Sequence, residues 1–586
     1  MNTTAQLVIN FLKDELKMQN DEYNNILRTE CRHLFDKKLL FRAKFLYIND
    51  KGHLVLQFSV DSPIPRKDSL SQYIIFLKKE DRVKGAIDCI SYQELLVRKV
   101  FLLSGKFIWS QPFCEGGRNF IRAGYNGIEI SKISTIDIQS YKDCFVYIGV
   151  SRPPLEMLEN LIAYTTENPD NPFFTRNYYN DAGSYDIKPL TDEMRNPSCI
   201  CKMLASRNDP LIIQGPPGTG KSYLIASLVQ DLISCNMSVL VTTLSNRALL
   251  EIIKKDPLLE PLKNKLVFKK ALSVDEENQV SGRLLDLDDV KPVNGKVHFC
   301  TYYSSSCSGF VTGINPPSWK YDFVIVDEAG QAFLPFLAAT MSMGNKQIFI
   351  GDINQLPPVV VLNDDQIKNR KYYFAANGLH AASQYLTAYQ LTSTYRLCRH
   401  SASLTQLFYK YSLISRSNIK FQLKLDLNAR SLALEPGTYL ISYGSSGYSS
   451  SDILLDICHQ LEDVRPVADK PRTKSRIAII SQKVNDVADL QKLVRTSLRS
   501  ISEDRLIVDT VYRCQGMTTD FAIFVIPSRT FSLFGGCRLF NVATSRAKII
   551  NFILCPNSFV NAVRYVNDDI GAFVNKLIAD AHVISI

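Results

Sequence analysis

Apolar positions change their spacing several times along this chain. Near the N-terminus Val8, Phe11, Leu12 and Leu16 recur at helical intervals behind Thr3-x-x-Gln6, which predicts a capped amphipathic helix. From about Leu39 the period shortens to two. Lys44–Ile48, the Asn49-Asp50-Lys51-Gly52 turn and the alternating Leu54, Leu56, Phe58 and Val60 predict a hairpin, and strand-like runs continue through Cys144–Ile148. Pro153–Thr166 returns to helical spacing, with Leu155, Leu158 and Leu161 apolar. Beyond residue 188 short unbroken apolar runs alternate with helix-like segments. Leu211–Ile213, Tyr321–Val326 and Ile348–Ile350 each end in a polar turn, the mark of buried parallel strands in an α/β fold.

The polar turns carry chemistry. Gly215-Pro216-Pro217-Gly218-Thr219-Gly220-Lys221-Ser222 follows the first of those strands and opens a helix, the order a phosphate-binding loop requires. Its glycines let backbone N–H groups close on an anionic phosphate chain at the positive end of a helix dipole. Lys221 is placed to reach the outer phosphates and Ser222 to ligate Mg²⁺. Asp327-Glu328 ends the next strand, where a doubly wound sheet places its ligand. Asp327 is the second Mg²⁺ ligand in this reading, and Glu328 orients and deprotonates the attacking water. After the third strand, Gln355 can touch the terminal phosphate or that water, since an amide donates and accepts at once.

These segments, with Asp327-Glu328-Ala329-Gly330-Gln331 and Gly351-Asp352-Ile353-Asn354-Gln355-Leu356-Pro357-Pro358, resemble superfamily 1 helicases. The resemblance is to the branch containing the nonsense-mediated-decay RNA helicase and its DNA-acting relatives. Leu391-Thr392-Ser393-Thr394-Tyr395-Arg396 is similar to the family's Leu-x-x-x-Tyr-Arg segment. Val508–Val511 with Gln515, Gly516 and Asp520 is similar to its fifth motif, and Arg538 with Asn541–Lys548 to its sixth. The resemblance covers roughly residues 190–555 and implies two tandem RecA-like P-loop motor domains, at 188–385 (with a short charged insertion about 255–295) and 386–586. Residues 1–187 are expected to form an N-terminal helical stalk and a small β-barrel. Arg396 and Arg546 are expected to enter the cleft from the second domain and neutralise charge on the γ-phosphate, with Gly516 beside the nucleotide. Thr243, Ser245, Asn246 and Thr301 fall where the family contacts the nucleic-acid backbone.

Some positions depart from the family pattern. Met194 stands where the family usually carries a glutamine that reads the adenine edge, and a thioether cannot replace that donor and acceptor. GTP is therefore expected to serve as well as ATP, unless Arg195 or Asn196 supplies the contact after a register shift. Tyr512, Cys514 and Thr518 replace the usual residues of the fifth motif, and Ser481–Asn485 stands in for a Pro-Tyr-x-x-Gln segment.

Composition changes the picture little. A net charge of +10 suits a polyanionic partner. Lys254, Lys255, Lys263, Lys265, Lys269 and Lys270 form either a solvated helix face or a backbone-tracking surface. Lys106, Trp109, Arg118, Phe120, Arg122 and Tyr125 interleave charge with aromatics, a pattern that suits base stacking, though large aromatics more often fill cores. No run is long enough to span a membrane, and the N-terminus lacks the basic start of a secretory signal. The 14 cysteines lack metal or disulfide spacing and read as reduced, mostly buried thiols of an intracellular protein, cytoplasmic or nuclear. The expected activity is ATP- and Mg²⁺-dependent, 5′-to-3′ movement on single-stranded nucleic acid, or on a duplex with a single-stranded tail, coupled to unwinding. The alternatives are a nucleic-acid-stimulated NTPase clamp or ribonucleoprotein remodeller without processive unwinding, and a scaffold with a decayed site, which the intact motif residues oppose.

Overall fold

The period-two segment closes on itself. A computed structural model describes residues 3–65, 71–77, 87–127, 138–178, 186–280, 282–312, 319–444, 449–465, 474–498, 501, 505–527 and 536–586. The chain divides into two units, Lys13–Leu155 and the remainder, Met1–Leu12 with Glu156–Ile586. In the first unit six strands form a closed antiparallel barrel, in the order Leu40–Ile48, Leu54–Ser59, Arg118–Asn126, Lys99–Glu115, Gln72–Leu77 and Phe145–Val150. The turn between the first two is set by Asn49, whose side-chain oxygen accepts from the amides of Lys51 (3.0 Å) and His53 (2.9 Å). Leu54, Leu56 and Phe58 fill the barrel with Phe45, Phe76 and Phe107, whereas Val60 lies beyond the strand end and is exposed. Of the aromatic and basic residues here Tyr125 is buried, Trp109 donates to His53 (3.4 Å) and the Arg122 guanidinium lies 3.9 Å over Phe113, while Lys106 and Arg118 are exposed.

The N-terminal helix runs Thr3–Arg28. Within it Gln6 donates forward to Asn10 (2.9 Å). Val8, Phe11 and Leu12 are buried, and Phe11 meets Phe333 and Tyr372 edge-on at 5.4 and 5.8 Å. The expected helix after the barrel spans Glu156–Glu167.

The rest of the second unit contains two large parallel sheets, with two two-stranded sheets and helices. The nine-stranded sheet runs Leu285–Leu287, Val267–Lys270, Val297–Thr301, Val239–Thr243, Tyr321–Val326, Gly344–Gly351, Leu211–Gln214, Ala388–Leu391, Ile187–Leu190. The six-stranded sheet runs Leu506–Thr510, Ile477–Ser481, Thr519–Val525, Ala547–Pro556, Gly437–Tyr443, Val583–Ser585. Helices with apolar faces pack onto both; Leu224, Leu228 and Leu232 on Lys221–Ser234, for example, join Ile213, Val241 and Ile325 in one core.

Two boundaries differ from the sequence reading. The expected insertion 255–295 contributes the last two strands at one side of the sheet, Val267–Lys270 and, at the edge, Leu285–Leu287. Lys269 belongs to the first of these, fully buried, paired with Glu276 (3.1 Å) and donating to the carbonyls of Lys270 and Ala271. Lys254 bonds Gln279 and Lys263 bonds Glu260, so the lysines form no continuous free surface. The first sheet also continues past residue 385, since Ala388–Leu391 is one of its strands. Of the expected flexible segment Gly444–Gly447, all but Gly444 lies outside the described residues. Only six of the fourteen cysteines are buried, fewer than expected.

Candidate functional site

Strands of the first sheet deliver their residues to one edge, at their carboxyl ends. Leu211–Gln214 leads into the phosphate loop, and the Gly215 amide donates to the Gly351 carbonyl (2.8 Å), so the loop starts tied to the neighbouring strand. Gly218 and Gly220 take φ of +72° and +76°, a region side-chain-bearing residues rarely occupy, and Lys221 then begins the helix Lys221–Ser234. Pro216, Pro217 and Thr219 are buried, with the Thr219 hydroxyl bonded to the Pro216 carbonyl (2.9 Å). Lys221 Nζ donates to the Gly215 carbonyl (2.9 Å), bridging the loop it belongs to. Ser222 is half-buried beside it.

Asp327 follows Tyr321–Val326 and is 3% exposed, and its Oδ1 has no hydrogen-bond partner. Burial, then the adjacent Glu328 carboxylate, hold its carboxyl well above the usual range, while Lys221 pulls the other way. A buried orphan carboxylate oxygen near a lysine and a serine fits a divalent cation with Asp327 and Ser222 as ligands, because a cation supplies the missing partner. Glu328 sits in the left-handed region (φ 54°, ψ 34°). A non-glycine residue held there costs on the order of 1 kcal/mol or more, and such strain clusters at sites where a side chain must be aimed. Gln355 is buried and donates to Asp352 Oδ2 (2.8 Å), so its amide is already oriented before any phosphate arrives.

The two arginines reach the cleft by different routes. Arg546 lies between the helix Gly536–Thr544 and the strand Ala547–Pro556 of the second sheet, and is 2% exposed. Arg396 does not come from that sheet. It lies on the connector that leaves Ala388–Leu391, a segment fastened to the phosphate loop: Tyr395 N–H donates to the Gly218 carbonyl (2.9 Å) and the Thr394 hydroxyl to Pro217 (3.0 Å). The approach is so close that a Cβ on Gly218 would fall 2.3 Å from Arg396 Cβ. Arg396 Nη1 then crosses to the Ser545 carbonyl (3.2 Å). Arg546 donates to Ser545 Oγ (2.9 Å) and the Cys514 carbonyl (3.4 Å), leaving its Nε unpartnered. Neither arginine has a salt bridge among the described residues. Burial, then the Arg546 charge, push Arg396 down to about 9; burial also lowers Arg546. Gly516 faces the same space, a Cβ there lying 4.0 Å from Glu328 Oε1.

The expected base-reading residues are otherwise engaged. Met194 is exposed in a turn. Asn196 caps the helix Pro197–Ala205 by accepting from Cys199 N–H (2.8 Å) and donates to the Glu193 carbonyl, so it is not available to a base. Arg195 donates to the Gly220 carbonyl (3.0 Å), and its guanidinium lies 5.1 Å over the Tyr395 ring. Tyr395, half-exposed against the phosphate loop, is a flat platform that sequence reasoning passed over; its place beside Arg396 in the Leu-x-x-x-Tyr-Arg segment was the signal.

The nucleic-acid candidates sit at the same sheet edge, where Thr243 and Thr301 are register partners on adjacent strands. Thr243 is fully buried on a central strand, and its hydroxyl has no hydrogen-bond partner among the described residues. Ser245 is exposed and caps Asn246–Ile253 by accepting from Ala248 N–H, and Thr301 caps Tyr302–Ser306 by accepting from Ser304 N–H. Asn246 begins the first of these helices.

Residues 295–363 match the AAA domain family. The chain is 25% identical over 438 residues to the DNA replication ATP-dependent helicase/nuclease DNA2 of Saccharomyces cerevisiae, covering 67% of this chain and 27% of that protein. It is 30% identical over 167 residues to the Homo sapiens protein of the same name, covering 27% of this chain and 15% of that protein. The chain thus spans between 15% and 27% of the length of these relatives. Among solved structures, Arterivirus nonstructural protein 10 (helicase) is similar over 87% of this chain and 78% of its own, at 12% identity and a TM-score of 0.35. The relatives support superfamily 1 helicases in general and not specifically the nonsense-mediated-decay group.

Proposed function

We propose that this chain, a relative of the superfamily 1 helicases, hydrolyses ATP between its two parallel-sheet domains to move 5′-to-3′ on single-stranded nucleic acid and to unwind duplex with a single-stranded tail. The observation that carries the reading is the pair Arg396 and Arg546, cations with no salt bridge among the described residues, Arg396 fastened to the phosphate loop and Arg546 reaching it from the second sheet's side. Glu328, with Glu251 and Asp352, offsets only part of the cost of holding these guanidinium groups in the protein, since both remain shifted down, and a bound triphosphate supplies the direct counter-charge. Lys221 holds the outer phosphates, Glu328 takes the proton of the attacking water, and Gln355 orients that water or the terminal phosphate. Ser222 and Asp327 would hold Mg²⁺, which would supply neutralisation of phosphate charge. The purine stacks on Tyr395, with no side chain among the described residues assigned to read its edge.

Movement follows from where the arginines come from. Arg546 belongs to the second sheet, so a triphosphate draws that domain onto the first, and product release lets it part. Ser245, Asn246 and Thr301 offer hydroxyl, amide and helix-terminal N–H groups to a phosphodiester backbone, contacts that position a strand without reading its sequence. No helix among the described residues is long and apolar enough to cross a membrane.

The test is hydrolysis with and without matched single-stranded DNA and RNA, alongside displacement of a strand from a 5′-tailed duplex. Stimulated hydrolysis with displacement is expected. Stimulation without displacement identifies a switching clamp, and hydrolysis indifferent to both polymers sinks the motor reading.

A further inference from the structure

The loop after Gly344–Gly351 leaves its own domain and docks in the other. Leu356 joins Leu404, Phe408, Tyr409 and Phe540 in the core of the second domain. Asn354 Nδ2 donates to the Phe408 carbonyl (2.7 Å). Beside this contact lies a closed ring of buried hydrogen bonds that spans the cleft. Asp352 Oδ1 accepts from Asn354 N–H (3.0 Å), and Asp352 Oδ2 accepts both from Gln355 Nε2 (2.8 Å) and from the Tyr409 hydroxyl (2.6 Å). Asn541 Nδ2 completes the ring by donating to the Tyr409 oxygen (2.8 Å) and the Asn354 carbonyl (2.9 Å). Tyr409 and Asn541 belong to the second domain, Asp352 and Gln355 to the first.

We infer that Tyr409 is a positioning residue for hydrolysis: through Asp352 it fixes the Gln355 amide when the second domain is docked, and releases it when the domains part. This rests on the proposed hydrolysis. The chemistry is specific to the hydroxyl. Asp352 Oδ2 holds two donors at once, and with Nε2 committed to it the Gln355 amide cannot flip, which leaves Oε1 as the acceptor toward the reacting water. Removal of the Tyr409 hydroxyl leaves Asp352 Oδ2 short of a donor, with the carboxylate still held at Oδ1 by Asn354 N–H and Gln214, and so loosens the brace on the glutamine. A domain motion that carries Tyr409 away has the same effect, so the water is ordered only in the closed state. None of the sequence motifs includes Tyr409. The geometry alone assigns it this role.

Tyr409→Phe keeps the ring in its core and removes one oxygen, and Gln355→Ala removes the group it is said to position. Nucleic-acid-stimulated kcat is expected to fall at least about tenfold in Tyr409→Phe with KM for ATP within about twofold, as expected for an interaction realised in the transition state. The double variant is expected to match Gln355→Ala alone. A kcat within twofold of the parent, or losses that multiply in the double variant, overturns the assignment. A second measurement is independent of turnover. Tyr409→Phe should lower the melting temperature of the parent but raise that of Asp352→Ala, where the hydroxyl has lost its acceptor. Shifts of the same sign in both backgrounds overturn the link itself. A parent that hydrolyses nothing with either polymer refutes the motor reading, and the melting cycle then decides this inference on its own.

Discussion

Replacing Arg546 by methionine should abolish turnover without weakening the fold. The side chain is 2% exposed, forms no salt bridge among the described residues, and lies close enough to Arg396 to lower that residue's proton affinity. Holding such a cation in the interior costs on the order of several kcal/mol. Against this stand two hydrogen bonds, one good (Ser545 Oγ, 2.9 Å) and one long (Cys514 carbonyl, 3.4 Å), worth about 1.5–3 kcal/mol each for a charged donor. Methionine keeps most of the volume, so no large cavity opens. The sum lies between neutral and a few kcal/mol in favour of the variant, hence a melting temperature unchanged or a few degrees higher. An arginine that served the fold would behave otherwise: losing about 3–5 kcal/mol from a domain of this size lowers the melting point by roughly 10 °C. Hydrolysis, in contrast, should fall by about 10³–10⁵, the contribution of a guanidinium that stabilises charge in the transition state. Differential scanning fluorimetry and a coupled phosphate-release assay on the same preparation read both quantities. A variant that melts about 10 °C lower, or one that turns over at a tenth of the parent rate, refutes the reasoning.

Glu328→Gln should still bind ATP–Mg²⁺, seen with a fluorescent analogue, while hydrolysis drops by at least about a hundredfold; parental turnover would place the base elsewhere. GTP should replace ATP at a comparable rate, because stacking on Tyr395 tolerates any purine, and Met194→Gln should shift preference toward ATP; a strong ATP preference in the unchanged protein shows an unrecognised base contact. Burial lowers His298, His380 and His400 to about 4, so they stay neutral when folded and protonate near 6.5 when unfolded. Their stability contribution is therefore complete above pH 6.5 and is lost as pH falls from 6.5 toward 4, at up to about 1.4 kcal/mol per pH unit each. Thermal melts across that window should fall with pH, less steeply in His298→Gln; a slope the substitution leaves unchanged removes His298 from the account.

Short-range patterns were legible from sequence because their physics is local. The phosphate loop, the strand that ends at Asp327 and the Asn49 turn each depend on a few neighbouring residues. What escaped depends on residues far apart in the chain. Lys269 reads as part of a basic patch until Glu276 and the neighbouring strands enclose it. Arg396 was assigned to the second domain from its late position, whereas the connector's bonds to Pro217 and Gly218 fix it to the phosphate loop. Asn196 offered an amide to a base, but an N-cap had first claim on it.

The nine-stranded sheet also constrains the order in which the protein can be made. Among the described residues its terminal strand Ile187–Leu190 pairs only with Ala388–Leu391, which leaves the ribosome 201 residues later. At about 5–20 residues per second, that is roughly 10–40 s during which an early strand waits with an open edge. The phosphate loop lies between the two and receives its braces from Thr394 and Tyr395 last of all. A nascent chain stalled before residue 391 would thus carry the full phosphate-loop sequence yet lack its final supports, and its unpaired strand would invite chaperones or other nascent chains rather than nucleotide.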